Sequence, residues 1–77
     1  MAHFYFNVYN TATTLDDVGS DLPGLAEAKA EARNAAADLI REEILAGRPF
    51  HRDHRIEVED GDHHLVHVLR FDELIAD

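Results

Sequence analysis

Residues 20–49 read SDLPGLAEAKAEARNAAADLIREEILAGRP, and this stretch predicts one long α-helix. Alanine is its commonest residue, and alanine has the highest helix propensity. Ser20 or Asp21 can cap the amino end of the helix. Gly47 favours a left-handed cap at the other end, so we expect the helix over about 24–46. The apolar stripe follows three- and four-residue spacing and consists of Leu25, Ala28, Ala32, Ala36, Leu39, Ile40 and Ile44.

The segments on either side of this helix alternate in the way that strands do. The first segment predicts a strand over about 3–10, and its two alternating rows are Phe4, Phe6, Val8 and Tyr5, Asn7, Tyr9. Residues 10–15 can turn into a short second strand. Residues 54–71 predict a hairpin, because two alternating runs flank Asp60-Gly61, a strong signal for a two-residue turn. We expect residues 72–77 to form a short C-terminal tail, with one helical turn around Leu74 and Ile75.

This order of elements predicts an α+β fold, with a small antiparallel sheet of three or four strands and one long helix packed on one face. We expect residues 1–77 to form a single domain. Under a two-residue turn, Ile56 faces Leu65 across the hairpin. The same register places His54 opposite His67. One hairpin face then carries Ile56, Val58, Leu65, Leu69 and Phe71, and the other carries Arg55, Glu57, Glu59, His64 and Arg70, interrupted by Val66 and Val68.

The chain is strongly acidic, with 16 Asp and Glu against 7 Lys and Arg and a formal net charge of -9. Nucleic-acid binding needs basic residues that neutralise phosphates, so we expect no direct nucleic-acid partner. The apolar runs are far shorter than the ~20 residues of a membrane-spanning helix, and the first residues do not resemble a signal peptide. We therefore expect no membrane partner and a cytoplasmic location.

The sequence assembles no catalytic nucleophile. It contains no cysteine, and its single serine, Ser20, fits a helix cap. The stretch Glu59-Asp60-Gly61-Asp62 lacks the ligand pattern of a calcium loop and fits a turn better. The glycines are scattered over turns and caps and form no phosphate-binding loop. We therefore expect neither an enzyme nor a cofactor.

Six histidines are the unusual feature of the composition. His64 and His67 are three residues apart, which places them on opposite faces of a strand. His54 and His67, opposed in the predicted register, are the better metal candidates. Asp53, Asp62 or a carboxylate of a partner chain could complete a zinc site around them. The alternatives are ordinary polar residues at a sheet end or a pH-sensitive contact, and we expect no metal.

A chain of this size buries only about 60% of its unfolded surface and, without cysteine, has no disulfide to stabilise it. Self-association is therefore a natural source of stability. The predicted interface residues lie on the sheet face away from the helix and are Tyr5, Tyr9, Val66 and Val68. The alternative is that Arg55 and Arg70 lie over this face and cover it.

Three motifs carry a family resemblance: HFYFNV at residues 3–8, DxGxDLP at 17–23 and VEDG at 58–61. With these motifs the chain resembles a family of short uncharacterised bacterial proteins, chiefly from alphaproteobacteria. The resemblance implies a compact domain of unknown function and carries over no catalytic residue, and the histidine-rich hairpin departs from it. A looser similarity, through DLPG at 21–24, is to the antitoxin half of HicAB-type toxin–antitoxin pairs. We expect a strand order different from that of those antitoxins and no DNA-binding extension.

Three functional hypotheses remain open on this basis. The first is a non-enzymatic domain that forms a homodimer or binds another protein. The second is an acidic inhibitor, similar to an antitoxin, that occupies a basic surface on a nucleic-acid-binding partner. The third is a metal or pH-responsive module built on His54 and His67.

Overall fold

The computed structural model describes residues 1–48 and 53–75. Within them it contains an antiparallel sheet of five strands and one long helix, so the predicted α+β class is confirmed. The elements are β1 Ala2–Tyr9, β2 Thr13–Thr14, β3 Ser20–Leu22, α1 Leu25–Ala46, β4 Arg55–Glu59, β5 Leu65–Arg70 and the short helix α2 Asp72–Ile75. The short second strand forms at Thr13–Thr14, and β3 adds a strand that the sequence did not predict. Neither helix of the described part is both long and apolar enough to cross a membrane.

The sheet is organised around β1 and β4, which pair with each other through five residue pairs. Strand β5 pairs with the other edge of β4, and β2 pairs with the C-terminal end of β1. Strand β3 pairs with the N-terminal end of β1, from Ala2 to Phe4. Strand β1 therefore pairs directly with every other strand of the sheet except β5.

Helix α1 covers one face of the sheet through its alanines, whose small side chains let the helix backbone approach closely. Its buried residues follow helical spacing and are Ala28, Ala32, Ala36, Ile40 and Glu43. The sheet contributes Phe4, Ile56, Val58 and Leu69 to the same core, which Phe71 completes. Two residues of the predicted apolar stripe are not buried in this core: Leu25 is 40% exposed and Ile44 is 63% exposed.

The start of α1 differs from the prediction. The residue that caps the helix is Gly24, and no side chain caps it. Ser20 and Asp21, the predicted caps, lie in β3 and pair with β1. The C-terminal end follows the prediction: Gly47 adopts a left-handed conformation with φ 70°, and its N–H donates to the carbonyl of Ile44. The following N–H, that of Arg48, donates to the carbonyl of Glu43 at 2.9 Å.

The register of the hairpin differs from the prediction by four residues. Ile56 lies opposite Leu69, and Val58 lies opposite His67. The two-residue turn is replaced by a loop over 60–64, in which the Asp60 carboxylate accepts the N–H groups of residues 62 and 64. An even shift keeps Leu69 on the packed face, because side chains alternate with period two.

A bulge next to Glu59 moves Leu65 to the other face of the sheet. Val58 pairs with His67 while Glu59 pairs with Leu65, so one extra residue, Val66, lies between them. Leu65 is consequently 56% exposed, and its predicted place on the packed face is wrong.

Candidate functional site

The face of the sheet away from α1, here called the outer face, is more polar than the sequence predicted. Tyr5 and Tyr9, two predicted interface residues, are partly buried there. The ring of Tyr5 stacks on His63 with centroids 4.3 Å apart. The guanidinium carbon of Arg55 lies 4.4 Å from the centroid of the Tyr9 ring. Arg55 thus covers part of this face, as the alternative interpretation expected.

The remaining predicted interface residues lie on β5. Val66 is 36% exposed at the bulge, and Val68 is partly buried opposite Glu57. Arg70 does not lie free over the face but forms an ion pair with Asp72 at 2.9 Å. Whether Tyr5, Tyr9, Val66 and Val68 contact a partner stays a prediction.

A tightly bonded loop, residues 15–19, borders the outer face beside β1. The Asp16 carboxylate accepts the N–H groups of Phe6, Val18 and Gly19, at 2.9–3.1 Å. Burial raises the pKa of Asp16, but these backbone donors outweigh it and hold the pKa below its ordinary value. The Asp16 N–H in turn donates to Asn7 Oδ1 at 2.9 Å. The loop is therefore held in place by a carboxylate that stays ionised.

His3 connects β1 to the same loop and to β3. Its Nδ1 lies 2.7 Å from Asp21 Oδ1, and its Nε2 lies 2.9 Å from the carbonyl oxygen of Val18. Both partners are acceptors, so the protonated ring satisfies both as a donor. The bond to Asp21, followed by that to Val18, raises the pKa of His3. No sequence pattern marks this contact, because residues 3 and 21 are brought together only by the pairing of β3 with β1.

A cleft of about 340 Å³ opens on the outer face between the 15–19 loop and the hairpin loop. It is lined by Asn7, Tyr9, Leu15, Asp16, Asp17, Glu59 and His63. One wall contains the imidazole of His63, whose Nδ1 lies 3.0 Å from Glu59 Oε1. At its base, Asn7 is only 4% exposed. The cleft thus combines carboxylates with a buried amide, and we call it the acidic cleft.

The hairpin loop also brings together a group of residues that could hold a metal ion. Ligand atoms of Asp60, Asp62 and His64 all lie within 4.8 Å of one another. The N–H of His64 lowers the pKa of Asp60 more than the loop's other contacts do. Asp60 Oδ1 already accepts two backbone N–H groups, so this carboxylate shapes the loop. The arrangement is an exposed turn stabilised by its own aspartate.

The predicted histidine pair is not formed. His67 lies opposite Val58, whereas the carbonyl of His54 accepts the N–H of Phe71. Four residues along a strand correspond to about 13 Å, so the two imidazoles do not face each other. The cross-strand geometry that made His54 and His67 metal candidates is therefore wrong. His54 is instead buried with 4% exposure, edge-on to the Phe71 ring at 6.0 Å.

A second surface lies on the helical side of the molecule, between the end of α1 and α2. We call it the apolar groove. It encloses about 250 Å³ and is lined by Ala37, Ile40, Arg41, Ile44, Leu45, Leu74 and Ile75. Ile44, Leu45 and Ile75 are 63%, 80% and 46% exposed. The helical turn predicted at Leu74 and Ile75 forms, but no sequence pattern places it beside the end of α1, where Ile44 fitted the core stripe.

The fold is that of a small α+β domain, and its surface carries an acidic cleft and an apolar groove. Residues 3–72 match a family described as a domain of unknown function, DUF6894. The chain belongs to this family. Comparison with curated proteins gives no match, and neither does comparison with solved structures. The family description states no activity, so the expected similarity to antitoxins stays a prediction.

Proposed function

We propose that this protein is a non-enzymatic domain that associates with a second copy of itself through the apolar groove. The observation that carries this proposal is the exposure of Leu45, which is 80% accessible although it borders a groove lined almost wholly by apolar side chains. Contiguous exposed apolar residues of this kind mark interaction surfaces in small soluble domains.

A second copy fits the groove because the same surface supplies both a projection and a depression. Leu45 projects at the rim, while Ala37 and Ile40 form part of the lining. A twofold contact places the Leu45 of each copy against the lining of the other, which is the self-complementary arrangement that cyclic dimers require.

The expected affinity follows from the exposed fractions of Ile44, Leu45 and Ile75. Full burial of such a side chain contributes about 1.5–3 kcal/mol, so burying the exposed parts in two copies contributes on the order of 8 kcal/mol. Association costs roughly 4–15 kcal/mol in lost freedom of motion. At the lowest cost the net gain is about 4 kcal/mol, and we therefore expect a weak, reversible dimer with a dissociation constant near the millimolar range.

The experiment is sedimentation velocity over a range of protein concentrations, with the wild type, Leu45→Glu and Val66→Glu. Each variant adds one negative charge to an exposed apolar position, but only Leu45 lies in the apolar groove. We expect the wild type and Val66→Glu to dimerise and Leu45→Glu to remain monomeric. A wild type that stays monomeric at millimolar concentration would contradict the proposal. If Val66→Glu dissociated the dimer and Leu45→Glu did not, the interface would lie on the outer face and not at the apolar groove.

Salt provides a second check on self-association. Two chains that each carry a formal net charge of -9 repel each other at low ionic strength. An apolar contact between them should therefore strengthen when salt screens this repulsion. Weakening of the dimer by salt would indicate that opposite charges, not the groove, hold the copies together.

A further inference from the structure

The acidic cleft on the outer face carries groups that the dimer proposal does not use. None of its lining residues belongs to the apolar groove. The carboxylates of the cleft differ in how many hydrogen-bond or ion-pair partners their oxygens already have. All the described bonds of Asp16 go to backbone N–H groups of its own surroundings. Asp17, in contrast, has no hydrogen-bond or ion-pair partner among residues 1–48 and 53–75.

Glu59 provides a second available carboxylate, on the hairpin side of the cleft. Its Oε1 contacts His63, while no partner of Oε2 occurs in the described part of the chain. The side chain of Glu59 is 25% exposed, so its charge is only partly screened by water. Asp17 and Glu59 each line the same cleft and each retain at least one carboxylate oxygen that is unpaired among the described residues, which favours a cationic ligand.

Asn7 adds an independent requirement on the ligand. Asn7 is 4% exposed as a residue, and its Oδ1 accepts the N–H of Asp16. This bond fixes the orientation of the amide, so Nδ2 is the group left to donate. Across the described ranges Nδ2 has no hydrogen-bond partner, although Asn7 lines the cleft. Nδ2 is not sealed off from solvent, and Asn7 lines the cleft, so this donor is available to an acceptor on a ligand there.

We infer that the acidic cleft binds an arginine or lysine residue of a protein partner. Its side-chain cation pairs with Asp17 and Glu59, and its backbone carbonyl accepts the hydrogen bond of Asn7 Nδ2. A basic residue within a polypeptide supplies both a cation and a carbonyl acceptor, which matches the two demands of the cleft. The cleft lies outside the groove, so the inference does not depend on self-association.

The test uses N-acetyl-arginine methylamide as the probe, titrated into the ¹⁵N-labelled full chain and followed by NMR. We expect saturable shifts at the backbone amides of Tyr9, Asp17 and Glu59. N-acetyl-norleucine methylamide has a similar backbone but no cation, and we expect it to cause no saturable shift. Methylguanidinium carries the cation without the carbonyl, and we expect it to bind more weakly.

Two double variants with the same change in net charge separate a site from general attraction. Asp17→Asn with Glu59→Gln should weaken binding of the arginine probe about tenfold or more. Glu31→Gln with Glu42→Gln, on the exposed side of α1, should change it less than about twofold, because long-range attraction is screened by salt.

The inference would be overturned if the two double variants weakened binding of the arginine probe equally. It would also be overturned if the norleucine probe bound as tightly as the arginine probe. Binding of methylguanidinium as tight as that of the arginine probe would overturn the assignment of a polypeptide residue, since the carbonyl would then contribute nothing. The dimer proposal makes no prediction for these titrations, so the two can fail separately.

Discussion

Ile56 lies at the centre of the packed face of the sheet, and its truncation measures how much this packing stabilises the fold. Its side chain is fully buried on β4, between Val8 on β1 and Leu69 on β5. Ile56→Val removes one buried methylene, which is worth about 0.8 kcal/mol in transfer free energy. With the small cavity it leaves, we expect a loss of about 1 kcal/mol in the free energy of unfolding. Ile56→Ala should cost about 3 kcal/mol.

These losses are large for a chain of this length. A domain of 77 residues has a free energy of unfolding of roughly 4–12 kcal/mol, so Ile56→Ala removes a quarter or more of it. Urea unfolding followed by circular dichroism reports the loss, because α1 supplies most of the helical signal. With a urea dependence of about 1 kcal/mol per molar, Ile56→Val should lower the midpoint by about 1 M.

The control is Val18→Ala, which shortens a side chain that is 76% exposed and should change the free energy by less than about 0.5 kcal/mol. All samples need the same protein concentration, because self-association adds stability that depends on concentration. An Ile56→Val midpoint no lower than that of Val18→Ala would refute the reasoning, since the packed face would then contribute little to stability.

Two further predictions concern β1 and the glycines. The pKa of His3 is raised in the folded protein, so its contact with Asp21 stabilises the fold most at pH values below the ordinary histidine pKa near 6.5. This stabilisation is lost as the pH rises through the raised pKa. Asp21→Asn should lower the His3 pKa in an NMR titration of the ring, and an unchanged pKa would contradict the assignment. Gly47→Ala should cost about 1 kcal/mol, because φ is 70° and an added Cβ meets nothing within 4 Å. Gly19→Ala should lower the free energy of unfolding more than Gly47→Ala does, because φ is 76° and the added Cβ would also lie 2.8 Å from the carbonyl oxygen of Phe4. Thermal or urea unfolding measures both losses. Equal losses would show that only backbone strain matters.

The long helix and the main strands were predictable because their signals are local. Alanine content, a stripe of apolar residues and Gly47 define α1 without reference to the rest of the chain. Strand β3 could not be predicted in this way. Ser20 and Asp21 have the chemistry of helix caps, but the structure uses them to pair with β1, where His3 binds Asp21. A contact between residues 18 positions apart in sequence outweighs a local preference.

In the hairpin, the sequence pattern predicted which sheet face most side chains occupy, but it did not predict which residues of β4 and β5 pair. The Asp60-Gly61 pair is typical of a two-residue turn, but the Asp60 carboxylate accepts N–H groups as far as His64 and favours a longer loop. His63 accordingly adopts φ 64°, which is uncommon for a residue with a side chain. The even shift left most face assignments unchanged, whereas the bulge at Val66, which no sequence pattern marks, exposed Leu65.

The candidate surfaces were predicted less well than the fold. The sequence correctly indicated aromatic residues on the outer face, but the polar contacts of Tyr5 and Tyr9 depend on His63 and Arg55, whose positions follow from the true register. The apolar groove depends on where α2 lies relative to the end of α1. The position of such a short segment has no periodic signal in the sequence, so it emerges only from the structure.

The most direct test of the central claim is sedimentation equilibrium of the untagged protein at concentrations up to millimolar. Self-association through the apolar groove predicts a species of twice the 8.7 kDa chain mass that disappears in Leu45→Glu. A monomer at every concentration, or a dimer that Leu45→Glu leaves intact, would contradict the claim.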